Sequence, residues 1–370
     1  MSAAMSAPRP AVRVDVISLA ENDLPEIAIF VASQSGQHQE TVESHLRWFL
    51  LQNPARKPEQ PLGFGLRSHD RLVGCILCSP QAFRRGAQRI DFMGSSSFYI
   101  HEAFRGQGAR LFLRYSRIPA PLFGTSANAE ASTLWKAIGA TPIPHSEGEL
   151  FGVLHWPPVA EEFARRKHKN RLLTHVAGSF ISNLAAPFLP LKMNLHPSAS
   201  LRVLSSAEQV DELLQQSFPH ENIFHRGLSP KITALRDLPY IRWRYFSGND
   251  PTAAVFAFRS HASDREIVVT VNRRKRGYRG QIETLNLLDV YPEADFEEWL
   301  AIVGALIKHY RRQVHAIVLR SQSPEHRKSL RDLGFLWRAF DAPTGWFLDK
   351  AKCLPTQEWY PVPADGDGLI

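Results

Sequence analysis

The chain repeats its own outline, and that repetition limits the available folds more than any other feature. Gly63-Phe64-Gly65-Leu66-Arg67-Ser68-His69, followed by Arg71 to Cys78, reads as strand, polar turn and strand, and Phe256-Ala257-Phe258-Arg259-Ser260-His261, followed by Arg265 to Val271, has the same order. Further on, Leu122-Phe123-Gly124-Thr125 leads into 128–139, and Ala316-Ile317-Val318-Leu319-Arg320 leads into 323–334. Each is a short apolar strand, a polar break and a helix-period segment closed by glycine. With 370 residues, 44% of them hydrophobic, the chain can give both copies a core of their own.

In the first copy, strands are predicted over 11–18, 62–68, 71–79, 89–100, 120–125 and 149–155, with helices over 23–33, 40–51, 109–117 and 129–138. In the second, helices over 207–217, 294–312 and 324–333 alternate with strands over 253–259, 265–273, 280–288, 314–320 and 345–349. Meander strands followed by βα units predict an α/β protein with mixed (α+β) sheets and helices packed on them. The expected division is 1–156, a basic helical connector over 157–200, a second domain over 201–352 and a loose tail over 353–370.

Charge narrows the partners without choosing one. The 44 Lys and Arg outnumber 36 Asp and Glu, which favours phosphates, nucleic acid or acidic lipid. Cys75, Cys78 and Cys353 are too few for a disulfide framework, and a strand over 71–79 sends Cys75 and Cys78 to opposite faces, against a redox or metal role. No metal is expected. The first ten residues lack the basic start and apolar stretch of a secretory signal, and nowhere do about 18 apolar residues run together, so a cytoplasmic location is expected. Two readings stand for 161–191, which carries Arg165, Arg166, Lys167, Lys169 and Arg171 before an apolar stretch: a connector packing both domains, or a peripheral membrane anchor.

The most informative local pattern is Phe98-Tyr99-Ile100-His101 running into Glu102-Ala103-Phe104-Arg105-Gly106-Gln107-Gly108-Ala109-Arg110 before Leu111 continues a helix. Gly106 and Gly108 let the backbone turn tightly and approach a ligand, and the first N–H groups of a helix favour an anion. Arg105 and Arg110 add positive charge, so amides between Phe104 and Leu111 are expected to converge on a pocket for two linked phosphoryl groups. Asn128, with Ala131, Leu134, Trp135 and Gly139 at fixed offsets, opens the next helix.

Residues 105–110 and 128–139 together resemble the GCN5-related N-acetyltransferases, in the pattern Arg-x-x-Gly-x-[Gly/Ala] followed by Asn-x-x-Ala-x-x-Leu-[aromatic]-x-x-x-Gly. The resemblance implies acetyl-CoA as co-substrate. Ile100 and Glu102 would lie beside the pantetheine arm, Arg105, Gly106, Gln107, Gly108, Ala109 and Arg110 around the pyrophosphate, and Asn128 against the cofactor arm. The sequence departs from the pattern in three places. Arg110 replaces the usual Gly or Ala, Pro119 and Pro121 shorten the helix after the loop, and Trp135 stands where many members have a tyrosine that protonates the leaving thiolate. The base is not evident; Asp91, His101, Glu102 and Ser97 are the candidates.

The second copy has no glycine turn after Leu285 to Val290, and Glu293, Asp295, Glu297 and Glu298 would repel phosphate there and suit an acidic helix start instead. Leu238 to Tyr245 resembles a "WRY" segment of tandem acetyltransferase-like proteins of bacterial surface-polysaccharide pathways; Arg242, Trp243 and Tyr245 line an acceptor groove or serve as core aromatics. The basic run 272–279 is a solvated hairpin loop or a grip on a phosphorylated or nucleic-acid acceptor. Acyl transfer from acetyl-CoA to an amine, on an amino sugar or surface-glycan precursor, is the leading expectation, with nucleic acid disfavoured. The alternatives are an aminoacyl-tRNA-dependent transferase of the peptidoglycan-bridge type and an inactive CoA-sensing or scaffold protein.

Overall fold

The computed structural model describes residues 13–85, 88–167, 200–217, 232–248, 250–259, 266–277, 280–292, 294–320, 323–351 and 354. The proposed anchor beyond Lys167 and the C-terminal tail apart from Leu354 lie outside the described residues. The chain divides into two compact units, residues 1–81 with 93–122, and residues 82–92 with 123–370.

In the first unit, β1 (Asp15–Leu19), β2 (Gly63–Ser68), β3 (Arg71–Arg85) and β4 (Gln88–Ile100) follow one another as neighbours in a sheet. Asp15 pairs with Arg67, and Gly63 with Leu77, both antiparallel. Helix α1 (Leu24–Ser35) buries Leu24, Ile27, Ala28 and Val31 at helical spacing, and Gly36 closes it in the left-handed region at φ 71°. Helix α2 (Gln39–Leu46) follows it, and α3 (Gly108–Tyr115) lies against β1 and β2. The outer ends of the long strands β3 and β4, residues 82–92, belong to the second unit.

The rest of the chain supplies β5 (Leu122–Gly124), α4 (Ala129–Ala137), β6 (Thr141–Pro142), β7 (Gly148–Val153), α5 (Trp156–Lys167), β8 (Ser200–Leu204), α6 (Ala207–Ser217), β9 (Ile232–Ala234) and α7 (Leu238–Phe246). Then come β10 (Ala253–Arg259), β11 (Glu266–Arg276), β12 (Ile282–Tyr291), α8 (Phe296–Tyr310), β13 (Ala316–Arg320), α9 (Pro324–Asp332), β14 (Leu336–Ala339) and β15 (Trp346–Leu348). A seven-stranded mixed sheet runs β14-β7-β13-β12-β11-β10-β8. The parallel pair β12–β13, with Thr284 opposite Ala316, is joined by the βα crossover through α8.

Strand neighbours differ from the sequence halves in one respect. The last strand of the first half, β7, sits between β13 and β14, while β15 of the second half sits between β5 and β6. Apolar periodicity identifies a strand but carries no information on which sheet accepts it, so the expected boundaries at 156 and 352 do not coincide with the sheets.

Helix α8 explains the core of the second unit. Trp299, Ile302, Val303, Leu306, Ile307 and Tyr310 recur at three- and four-residue spacing and pack on Leu285, Leu287 and Val290 of β12. Its start is a capping box: Asp295 accepts the Glu298 N–H at 2.9 Å, and Glu298 accepts the Asp295 N–H at 3.0 Å. The acidic run after β12 is thus a helix cap, as expected from its position. The other side chains of β12, Thr284, Asn286, Asp289 and Tyr291, are also buried. A bulge at Leu288, where Thr270 faces Asp289 but Val271 faces Leu287, keeps these polar residues on the face opposite the apolar ones.

On that polar face Asp289 is 3% exposed, accepts Arg236 Nε at 2.5 Å and accepts the Tyr245 hydroxyl at 2.6 Å. Arg236 also donates to Thr233 Oγ1 and the Ala234 carbonyl at 3.1 and 2.7 Å. Replacing Asp289 leaves a buried guanidinium without its counter-charge, so Asp289→Ala should lower stability by about 3–5 kcal/mol in urea unfolding. A loss below about 1 kcal/mol would show that Arg236 finds another partner.

Candidate functional site

Strand β4 carries a backbone irregularity near its C-terminal end. Ser97 adopts φ 48° inside the strand, a left-handed conformation uncommon for a residue with a Cβ. Such a kink redirects the last residues of a strand, and bulged strands recur beside active sites. The Ser97 carbonyl accepts the Cys75 thiol at 3.4 Å, and the His101 N–H donates to the Val73 carbonyl at 2.8 Å, so β3 holds the chain at the kink and again beyond it. Ile100 fills the room left by two glycines. A Cβ at Gly108 would stand 2.7 Å from Ile100 Cδ1, and one at Gly74 would stand 3.4 Å from Ile100 Cγ1.

The segment after Ile100 is more tightly wound than its glycines suggest. Residues Glu102–Gln107 form a 3-10 helix with His101 at its N-cap, where Nδ1 accepts the Ala103 N–H at 3.3 Å. The Phe104 N–H donates to the His101 carbonyl at 2.8 Å and the Gly108 N–H donates to the Arg105 carbonyl. These two amides are therefore satisfied within the turn, which corrects the expectation of an open cradle from Phe104 to Leu111. The 3-10 helix runs without a break into α3, with Gln107 and Gly108 both in the right-handed helical region. Arg105, Gly106, Ala109 and Arg110 are exposed, and a Cβ at Gly106 would meet nothing within 4 Å. The Arg110 guanidinium donates to Gln107 Oε1 at 2.8 Å, an exposed contact along the helix surface. Tyr115 anchors the other end of α3 by donating its buried hydroxyl to the Met93 carbonyl at 2.7 Å. What results is a basic turn with one open glycine face.

No family model matches the sequence, and no curated protein does. Among solved structures, the chain is similar to a GCN5-related N-acetyltransferase from Anabaena variabilis, with 12% identity over 90% of this chain and 72% of that one and a TM-score of 0.54. The fold is that of the GCN5-related N-acetyltransferases. A conserved protein of unknown function from Enterococcus faecalis shares it at 11% identity, covering 91% of this chain and 72% of the other, TM-score 0.52. So does N-myristoyltransferase of Saccharomyces cerevisiae with bound myristoyl-CoA, at 12% identity over 93% and 81% of the two chains, TM-score 0.52.

The other residues singled out in the sequence fall in several places on this fold. Ile100, Glu102 and 105–110 lie together on the first unit. Asn128 belongs to the second, where it caps α4 and accepts the Ala131 N–H at 2.8 Å. Trp135 is buried within α4. Of the four candidate bases, Asp91 is held by Arg89 at 3.0 Å on an exposed stretch of the second unit and Ser97 is buried at the kink, while His101 and Glu102 stay exposed at the turn. Arg242, Trp243 and Tyr245 point different ways: Arg242 pairs with Glu208 at 2.6 Å in solvent, Trp243 is buried beside Tyr240, and Tyr245 binds Asp289. The basic run is not simply solvated, because Arg274 reaches Asp250 at 3.3 Å and Arg276 reaches Glu149 at 2.8 Å. Among the described residues no group of three His, Cys, Asp or Glu could hold a metal ion, and no helix is long and apolar enough to cross a membrane.

Both thiols of β3 are buried. Burial pushes the Cys75 thiol up from 9.0 to about 12, against a smaller opposing hydrogen bond at Tyr99, and burial raises Cys78 as well. A group whose pKa rises on folding keeps its proton where the unfolded chain gives it up. Its stabilisation is therefore whole below pH 9.0 and lost as pH climbs from there towards about 12. Urea unfolding at about pH 8 and about pH 10 should show a loss of ~1.4 kcal/mol per thiol that the double variant Cys75→Ala, Cys78→Ala lacks. Equal pH dependence in both proteins would place the cause elsewhere.

Proposed function

We propose that the protein is an N-acyltransferase that binds an acyl-CoA, acetyl-CoA as the simplest donor, at the β4–α3 turn and passes the acyl group to an amine. The observation that carries this reading is the exposed basic turn itself: Arg105, Gly106 and Arg110 at the start of α3, directly after a kinked β4, on this fold. A diphosphate at that turn gains from the two guanidiniums and from the helix dipole. Gly106 leaves its approach open, whereas Gly108 is needed for the packing of Ile100.

In the reaction a C–N bond forms as the C–S bond of the thioester breaks, and the amine's proton ends on the departing sulfur or on solvent. This chain's share of the work is positioning. The kink at Ser97 and the clamp of Ile100 between Gly74 and Gly108 fix the end of β4 against which the acyl carrier would lie. Trp135, buried and without an acidic proton, does not supply a general acid, so the sulfur's proton comes by another route. The acceptor, an amino sugar or surface-glycan precursor, is proposed from the resemblance of Leu238 to Tyr245 alone.

Calorimetric titration tests the donor. CoA should bind the full chain, and Gly106→Glu should weaken it at least about tenfold while thermal stability stays within the ~0.5 kcal/mol usual for surface changes. Absence of heat at about 1 mM CoA would remove the reading. Binding without turnover of any primary amine would favour a CoA-sensing role instead.

A further inference from the structure

The second unit contains a charge cluster that the acyl-transfer reading does not use. Glu149 of β7 has no solvent exposure, and three guanidiniums converge on it. Arg276 Nη1 and Arg338 Nη2 stand 2.8 and 2.6 Å from its Oε1, and Arg320 Nε stands 3.1 Å from its Oε2. Register builds this convergence. With β7 between β13 and β14, Glu149 is the direct antiparallel partner of Arg320 on one side and of Arg338 on the other, and direct partners share a face. Arg276 arrives from the end of β11, where its Nη2 also donates to Asn286 Oδ1 at 2.9 Å.

Over these four residues, three positive charges less one negative charge leave +2. The arginine side chains are 25%, 39% and 47% exposed for Arg276, Arg320 and Arg338, so the cations stand towards solvent above a buried carboxylate. Burial lowers the Arg276 pKa, Glu149 opposes that, and the neighbouring Arg320 and Arg338 charges lower it further. Glu149 aligns them without neutralising them. Arg276 and Arg338 each carry five N–H donors in a planar fork, and their contacts to Glu149 and Asn286 use only part of them.

We propose that Arg276, Arg320 and Arg338, positioned by Glu149, bind the phosphoryl group of a small soluble ligand, as a phosphate monoester or diphosphate. A phosphoryl group brings negative charge that the cluster's +2 can meet, and its oxygens accept from several forks at once. A carboxylate would leave one positive charge over. This site is separate from the turn at 105–110 and does not rest on acyl transfer.

The test uses the full chain carrying Gly106→Glu, so that the turn contributes nothing, with pyrophosphate and ADP as probes in calorimetry and thermal unfolding. Pyrophosphate should bind and raise the unfolding temperature, and adding Arg338→Gln or Arg320→Gln should each weaken it about tenfold or more. Arg338→Lys keeps the charge but loses the fork, and should fall between the two. ADP binding more tightly than pyrophosphate would assign a nucleotide, and equal binding would assign the diphosphate alone. Pyrophosphate affinity unchanged by Arg338→Gln and Arg320→Gln in folded protein would overturn the site, as would pyrophosphate binding that disappears with Gly106→Glu alone. Should a glutamine variant fail to fold, Arg338→Lys carries the comparison, and affinity equal to that of the Gly106→Glu parent again overturns the site.

Discussion

The second unit depends on a sheet that is buried on both faces, one face apolar and the other mixing an apolar cluster around Ile282 with buried polar groups. Leu285, Leu287 and Val290 of β12 meet α8, while Thr284, Asn286 and Asp289 are buried on the other side. Burying polar groups costs free energy unless each finds a partner, so the sequence must supply partners at the matching registers. It does so with arginine. Arg236 answers Asp289, and Arg276, Arg320 and Arg338 answer Glu149. Ion pairs of this kind add little net stability over an apolar core of the same shape, but losing one member is costly. They therefore fix strand order more firmly than they raise stability.

The first unit solves a different problem. Its α3 must start close to β4 and still leave an approach for a ligand. Two glycines divide that task. Gly108 has no room for a side chain because Ile100 occupies it, and Gly106 has space all round. The strand meets the turn through a left-handed Ser97, so local strain is concentrated at the end of β4. The buried thiol of Cys75 and the backbone of Val73 restrain that strained segment from the neighbouring strand.

Much of this was legible in the residues. Apolar periodicity located α8, and the acidic residues after β12 signalled its cap, because both are local and repeat at helical spacing. The glycine turn after β4 was legible as a turn, but its winding into a 3-10 helix was not, since that depends on where the His101 carbonyl and ring lie once β3 fixes the strand. The basic run 272–279 read as solvent-facing because a run of like charges usually is. The carboxylates that turn Arg274 and Arg276 inward, Asp250 and Glu149, are far away or on another element in the chain. Glu149 itself gave no signal: a lone glutamate in an apolar strand becomes meaningful only when β13 and β14 flank it.

The placement of β7 and β15 bears on how the protein can be made. A ribosome that has released the first half has produced β7 before β13 and β14, its flanking strands, exist, and β5 and β6 before β15 can come between them. β7 keeps an open edge until β14 emerges and β5 and β6 until β15 does, and open edges are the part of a nascent chain most prone to pair with a neighbour. Gene fragments ending near residue 156 would carry that exposure permanently, because β5, β6 and β7 would lack the later strands that flank them.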